Sequence, residues 1–155
     1  MNDEILYISF EEVMDVYQKT VDNSGGGFAG IRDEGGIHSV IEFMQDDLYY
    51  PTFVSKLTYL VFGFCSGHYF SDGNKRIALT LGAYFLHKNK YYWAACSFMR
   101  QVEAIVYHVA ASHIDKDLLE RIMQCVVDGS DYDEALKIDI ANAMSQGELG
   151  INEED

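Results

Sequence analysis

His68-Tyr69-Phe70-Ser71-Asp72-Gly73-Asn74-Lys75-Arg76 is the stretch on which the reading of this chain turns. An apolar segment leads into it (Phe53 to Cys65) and another leads out of it (Ile77 to Leu86). A polar loop opening into a buried helix is suited to holding an anion, because the first amides of a helix have no intrahelical acceptor and sit at the positive end of its dipole. Gly73 lets the backbone turn tightly and approach a ligand closely. Arg76 carries a planar fork that matches phosphate oxygens. Asp72 is a hard oxygen ligand of the kind Mg²⁺ prefers. His68 is a base that titrates near neutrality. Asn74 can donate to a phosphate or cap the helix. Together these residues point to phosphate chemistry.

Working outward, the flanks read as helices. Phe53, Leu57, Leu60 and Phe64 recur at the 3.6-residue period, and Val54, Val61 and Cys65 widen the apolar face, so a helix is predicted to end near Gly67. Lys75 to Lys88 is apolar nearly all round, as a central helix of about 20 Å would be, and Asn89-Lys90 stops it. Upstream, Ser9 and Glu12 form a capping box that starts a helix from about Phe10 to Val21. Asp22 to Gly30 reads as a glycine-rich loop and Gly35-Gly36 as a turn before a short helix through about Met44. Asp46 to Pro51, with the chain's single proline, reads as a break or a short extended piece. Downstream, helices are predicted over Ser97 to Ala111 and Asp115 to Val127, with Asp115 as N-cap. Gly129 marks a boundary. Beyond it lie an amphipathic stretch (Asp133 to Met144) and an acidic end, Asn152 to Asp155, expected to be disordered. The fold class is therefore all-α, with a single domain over residues 1–128 and an acidic, partly helical extension over 129–155.

The 155 residues favour one domain, and 48% hydrophobic composition supports a proper core. No apolar run approaches the roughly 18 residues of a membrane span. The net charge of −14 disfavours nucleic acid as a partner, since an acidic surface repels phosphate backbones. The start, Met1 to Glu4, lacks a basic n-region, and the three widely spaced cysteines (Cys65, Cys96, Cys125) suggest buried free thiols rather than a disulfide framework. These features lead us to expect a cytoplasmic protein.

The order of residues from His68 to Arg76 resembles the Fic/Doc signature, His-x-Phe-x-(Asp/Glu)-(Gly/Ala)-Asn-(Gly/Lys)-Arg, with His68, Phe70, Asp72, Gly73, Asn74 and Arg76 in register. Gly27-Phe28-Ala29-Gly30-Ile31-Arg32-Asp33-Glu34-Gly35 is similar to an element of Doc-like (death-on-curing) proteins, and Ile77-Ala78-Leu79 with Phe85-Leu86 resembles their central helix. The resemblance covers roughly Tyr7 to Val127. It implies a helical Fic/Doc bundle that uses ATP and Mg²⁺ to modify a hydroxyl of a target protein. His68 would be the catalytic base, Asp72 the metal ligand, and Gly73, Asn74, Lys75 and Arg76 the nucleotide phosphate site. Phe70 would anchor the loop. Asp46 to Thr52 would correspond to the flap that docks the target, with Leu48, Tyr49 and Tyr50 as its contacts.

Two departures bear on the reaction. Tyr69 stands where typical Fic AMP-transferases have Pro, and Lys75 where they have Gly. Doc-like toxins share the Lys; they transfer a γ-phosphate to a translation elongation factor and are restrained by an antitoxin. Lys75 thus favours phosphoryl transfer, a toxin–antitoxin role and such partners, whereas Gly73 is the more Fic-like choice and keeps AMP transfer (AMPylation) open. A non-catalytic binding module is a third reading, which the complete motif argues against. Ser130 and Glu134 have the spacing of the family's inhibitory helix, but Ala135 replaces its Gly/Asn, so self-inhibition is not expected. Gly25 to Gly30 formally fits GxGxxG but follows no strand and reads as a connecting loop. His38, His87, His108 and His113 read as structural or surface residues. Tyr91-Tyr92-Trp93 reads as packing.

Overall fold

The computed structural model describes residues 4–23 and 30–153, and among these it is all-helical. In chain order the helices are α1 (Phe10–Asn23), α2 (Glu34–Phe43), α3 (Phe53–Ser66), α4 (Asn74–Lys88), α5 (Tyr92–Ala110), α6 (Lys116–Asp128) and α7 (Glu134–Glu153). The axis is α4. It packs against α3, α5 and α1, and Ile77, Ala78, Leu79, Leu81, Phe85 and Leu86 are all buried along it. Beside it, α3 buries Leu57, Leu60, Val61, Phe64 and Cys65 and also meets α2, α5 and α6. The loop from His68 to Gly73 joins these two most buried helices, so core packing fixes both of its ends.

Local signals set most boundaries. The Ser9 hydroxyl accepts from the Glu12 amide at 3.2 Å while the Glu12 carboxylate accepts from the Ser9 amide at 3.0 Å, which completes the capping box of α1. Thr52 and Ser55 form the same reciprocal arrangement at α3. Asp115 caps α6 by accepting from the Leu118 amide at 2.8 Å. Asn89 ends α4, and its side chain accepts from the Leu6 amide at 2.8 Å and donates to the Leu6 carbonyl at 2.9 Å, which ties the N-terminal segment to the far end of the axis.

Several expectations are corrected. Gly35 and Gly36 lie inside the first turn of α2, not in a turn before it. Asp33 caps that helix by accepting from the Gly36 amide at 2.8 Å, and a Cβ at Gly36 would strike the Tyr69 ring, so this glycine serves close packing. Of the two readings of Asp46–Pro51, a break between helices holds and a short extended piece does not. The Asp46 side chain accepts from the Leu48 amide at 2.9 Å and its carbonyl from the Tyr50 amide at 2.8 Å, which curls the chain locally. Fully buried Lys56 on α3 then holds the turn, donating to the Met44 carbonyl at 3.0 Å and to Asp47 at 2.8 Å. Helix α5 begins at Tyr92, five residues before the predicted start at Ser97, because Tyr91 stacks on Phe53 at 4.6 Å and fixes the entry of the chain. Trp93, in that first turn, is 86% exposed instead of packed. Cys65 is buried, but Cys96 is exposed and Cys125 half-buried. Finally, α7 extends through Glu153, beyond the predicted Met144, and buries Leu136, Ile140 and Ala143 against the rest of the core. The predicted disorder of Asn152 and Glu153 is thus replaced by helix, while Glu154 and Asp155 lie outside the described residues.

Candidate active site

The loop begins with strained backbone. Gly67 caps α3, and His68 follows in the left-handed region with φ of 52°. That conformation after a helix end ordinarily falls to glycine, since a side chain there costs about 1 kcal/mol. Here a histidine occupies it, with its side chain exposed to solvent.

Phe70 anchors the centre of the loop. It is fully buried, stacks on Tyr17 at 4.5 Å, and lies 6.5 Å from the Phe64 ring. Asn74, the first residue of α4, pins the same residue from the backbone side. Its Oδ1 accepts from the Phe70 amide at 3.1 Å, and its Nδ2 donates to the Phe70 carbonyl at 3.0 Å. The carboxamide therefore neither caps the helix nor faces a ligand in this arrangement; it shapes the loop. Gly73 takes the N-cap position with φ of 80° and brings no side-chain acceptor. The amides that open α4 are consequently left for something else to satisfy.

A short segment runs alongside. The Tyr69 carbonyl accepts from the Arg32 amide at 2.7 Å and the Asp33 amide at 3.1 Å, and the Ser71 amide donates to the Gly30 carbonyl at 2.9 Å. Ile31 and Phe70 thus form an isolated antiparallel bridge. The Tyr69 ring meets Phe64 edge-on at 5.4 Å, and burial, with Asp33 nearby, pushes its hydroxyl pKa up.

Beside the loop lies a cavity of about 720 Å³. Asp72, Gly73, Asn74, Lys75 and Arg76 line it, together with Arg100, Glu103, Ala104 and Tyr107 of α5. The volume is within the usual range of small-molecule sites. Asp72, Lys75 and Arg76 are all exposed. One Asp72 oxygen accepts from the Gly73 amide at 2.8 Å, which leaves the other available to a cation. Among the described residues no group of three His, Cys, Asp or Glu could enclose a metal. A lone carboxylate suits Mg²⁺ that takes its remaining ligands from water and a substrate's phosphates. Below the loop, burial pushes the Cys65 thiol up to about 11, an effect that the Lys75 charge and a backbone hydrogen bond only partly offset.

The structure therefore gathers Asp72, Gly73, Asn74, Lys75 and Arg76 at one cavity, with His68 exposed at the loop's start. It does not bring Leu48, Tyr49 and Tyr50 there. They precede the N-terminus of α3, whereas the loop leaves its C-terminus, and a helix of that length separates them by about 20 Å. Tyr50 instead stacks on Tyr59 at 4.3 Å, beneath Lys116. The segment that pairs with the loop is Gly30–Asp33. Of the predicted element around it, Gly27 to Ala29 lie outside the described residues, as does most of the GxGxxG stretch. Glu134 pairs with Lys137 on its own helix at 3.6 Å. His38 stacks on Phe10 at 4.3 Å, and the Nδ1 atoms of His108 and His113 lie 3.0 Å apart.

Sequence reasoning missed the α5 wall and Tyr69. The wall had a signal: Arg100, Glu103, Ala104 and Tyr107 recur at helical spacing, so they share a face. Tyr69 contributes mainly through its carbonyl, which residue identity does not reveal.

The sequence model of the Fic/DOC family matches residues 7–86, more than half of the chain. The protein belongs to the Fic/Doc family. That membership points to AMPylation or a related transfer, with the ATP and Mg²⁺ that the family's proteins typically use. No curated protein and no solved structure matched the chain. No helix among the described residues is long and apolar enough to cross a membrane.

Proposed function

We propose that this protein is a Mg·ATP-dependent transferase that phosphorylates a Ser or Thr hydroxyl of a target protein in the Doc manner. The observation that carries the proposal is the opening of α4: a helix start with no side-chain cap, flanked by Asp72, Lys75 and Arg76, at the edge of a nucleotide-sized cavity. Bound Mg·ATP supplies the electrophilic phosphorus and a leaving group. His68 takes the proton of the attacking hydroxyl. The amides of α4 together with Lys75 and Arg76 receive the phosphate oxygens, and donors placed in advance stabilise charge as it develops. Asp72 holds the cation. Asn74 acts indirectly, by keeping Phe70 and hence the loop in shape. The target docks along Gly30–Asp33, the backbone already paired with the loop.

AMP transfer is the second reading. Gly73, with its positive φ, favours it because the backbone can then lie close to a phosphate. Lys75 at the cavity edge favours phosphoryl transfer, because it adds a cation where close approach would otherwise be free. The Doc-like reading carries with it an antitoxin partner, a translation factor as target, and a cytoplasmic setting.

The test separates binding from chemistry. His68→Ala should abolish transfer to protein while leaving ATP affinity within about twofold of wild type, because the imidazole is asked to move a proton and not to hold phosphate. Arg76→Ala should lose about tenfold or more in ATP affinity as well as transfer, since a charge-assisted contact of this kind contributes about 1.5–3 kcal/mol. Calorimetry and a labelled-ATP transfer assay on the same preparations give both readouts. Full transfer by His68→Ala would remove His68 from the mechanism.

A further inference from the structure

The chain is strongly acidic, with eleven Lys and Arg against twenty-five Asp and Glu. Several of its cations are committed to other groups. Lys56 pairs with Asp47, Lys88 with Glu12, Arg121 with Asp139 and Lys137 with Glu134. Lys116 lies over the rings of Tyr50 and Tyr59. Lys19, Arg32, Lys75, Arg76, Lys90 and Arg100 form no ion pair among the described residues, and of these Lys75, Arg76 and Arg100 line the same cavity of about 720 Å³. Arg100 sits three residues before Glu103 on the same face of α5, yet the two are not paired. Three cations against the two carboxylates of Asp72 and Glu103 leave this lining with an excess of positive charge in a chain whose net charge is −14, and that favours an anion there.

The cations come from two helices. Lys75 and Arg76 flank the amides of α4, and that group is enough to take the free oxygens of one phosphate. Arg100 comes from a different helix, α5. With one phosphate seated at the start of α4, Arg100 is left to take a further phosphate of the same ligand. A polyphosphate supplies one, and a monophosphate does not.

We propose that Arg100 is a substrate-binding residue that selects nucleoside di- and triphosphates over monophosphates, by gripping a phosphate beyond the one seated at the start of α4. The inference rests on the nucleotide-transfer reading above and adds to it a specificity residue contributed by α5. Arg100 is exposed, so its substitution leaves the core intact.

The experiment is calorimetric titration of the full chain with Mg·ATP, Mg·ADP and AMP. The proteins are wild type, Arg100→Ala, Arg100→Lys and, as a control for bulk charge, Lys137→Ala. Arg100→Ala should weaken Mg·ATP and Mg·ADP by about tenfold or more and AMP by less than about twofold, the gap reflecting one lost charge-assisted phosphate contact. Arg100→Lys should recover part of the loss, since it keeps the charge but not the fork, and Lys137→Ala should bind as wild type does. Unchanged Mg·ATP affinity in Arg100→Ala, or equal losses for ATP and AMP, would overturn the role of Arg100 while leaving the transferase reading in place. A similar loss in Lys137→Ala would reduce the effect to bulk charge and overturn it too. If wild type bound none of the three nucleotides, the transferase reading and this inference would both fall.

Discussion

At the scale of single residues, His68, the residue proposed as the base, carries backbone strain. Its φ of 52° follows the Gly67 cap of α3, where a glycine would relieve the strain. His68→Gly should therefore raise the stability of the fold by about 0.5–1 kcal/mol and abolish transfer. Thermal melting and the transfer assay on one preparation check both. A variant that melts lower than wild type would mean that the imidazole makes a stabilising contact outweighing its backbone strain. Asn74 is the opposite case. Its side chain is spent on the Phe70 backbone, at 3.1 and 3.0 Å, so it serves the loop before any ligand arrives. The motif singled out both residues. It could not distinguish a ligand contact from a loop brace, because an amide side chain suits either and only the positions of its neighbours decide.

At the scale of elements, α1 is fastened to the axis by one charged cluster. Lys88 of α4 donates to both Glu12 oxygens, at 2.7 and 2.8 Å, and the Tyr84 hydroxyl donates to the same carboxylate. Burial alone would push the Glu12 carboxyl up, but the hydrogen bonds from Lys88, Tyr84 and the Ser9 amide, with the Lys88 charge, outweigh it and hold the pKa at about 2. Because the folded pKa is depressed, this stabilisation is fully present above the ordinary value of 4.5 and is lost as pH falls from there towards about 2. The partly exposed setting limits it to on the order of 1 kcal/mol. Glu12→Gln should melt lower than wild type at pH 7, and the two melting curves should converge as pH falls towards 2. A constant gap down to pH 2 would show that the carboxylate's charge is not what holds α1. Of these elements, the capping boxes and the periodicity of α3 and α4 were legible because their signals are local. The early start of α5, the curled form of the break over Asp46–Pro51 and the helical Gly35–Gly36 were not. Each depends on a partner outside its own segment: Phe53 for Tyr91, Lys56 for Asp47, and Tyr69 for Gly36.

At the scale of the whole molecule, the site arises from packing that no single segment encodes. The loop from α3 to α4, the backbone of Gly30–Asp33 and the face of α5 meet only because α4 packs between α1, α3 and α5. The all-helical fold and one wall of the cavity were readable in the nine residues from His68 to Arg76 and the segments that flank them. The flap expected at Leu48–Tyr50 lies at the other end of α3, because α2 and the buried Lys56 turn carry the chain away from the loop before α3 returns to it. The most direct test of the central claim is a pair of reactions of the purified protein with Mg²⁺ and a cell lysate, one with ATP labelled at the γ-phosphate and one at the α-phosphate, each beside its His68→Ala control. Phosphoryl transfer predicts label on a discrete protein from γ-labelled ATP alone, absent from the control. Label from α-labelled ATP would contradict it and establish AMP transfer at the same loop.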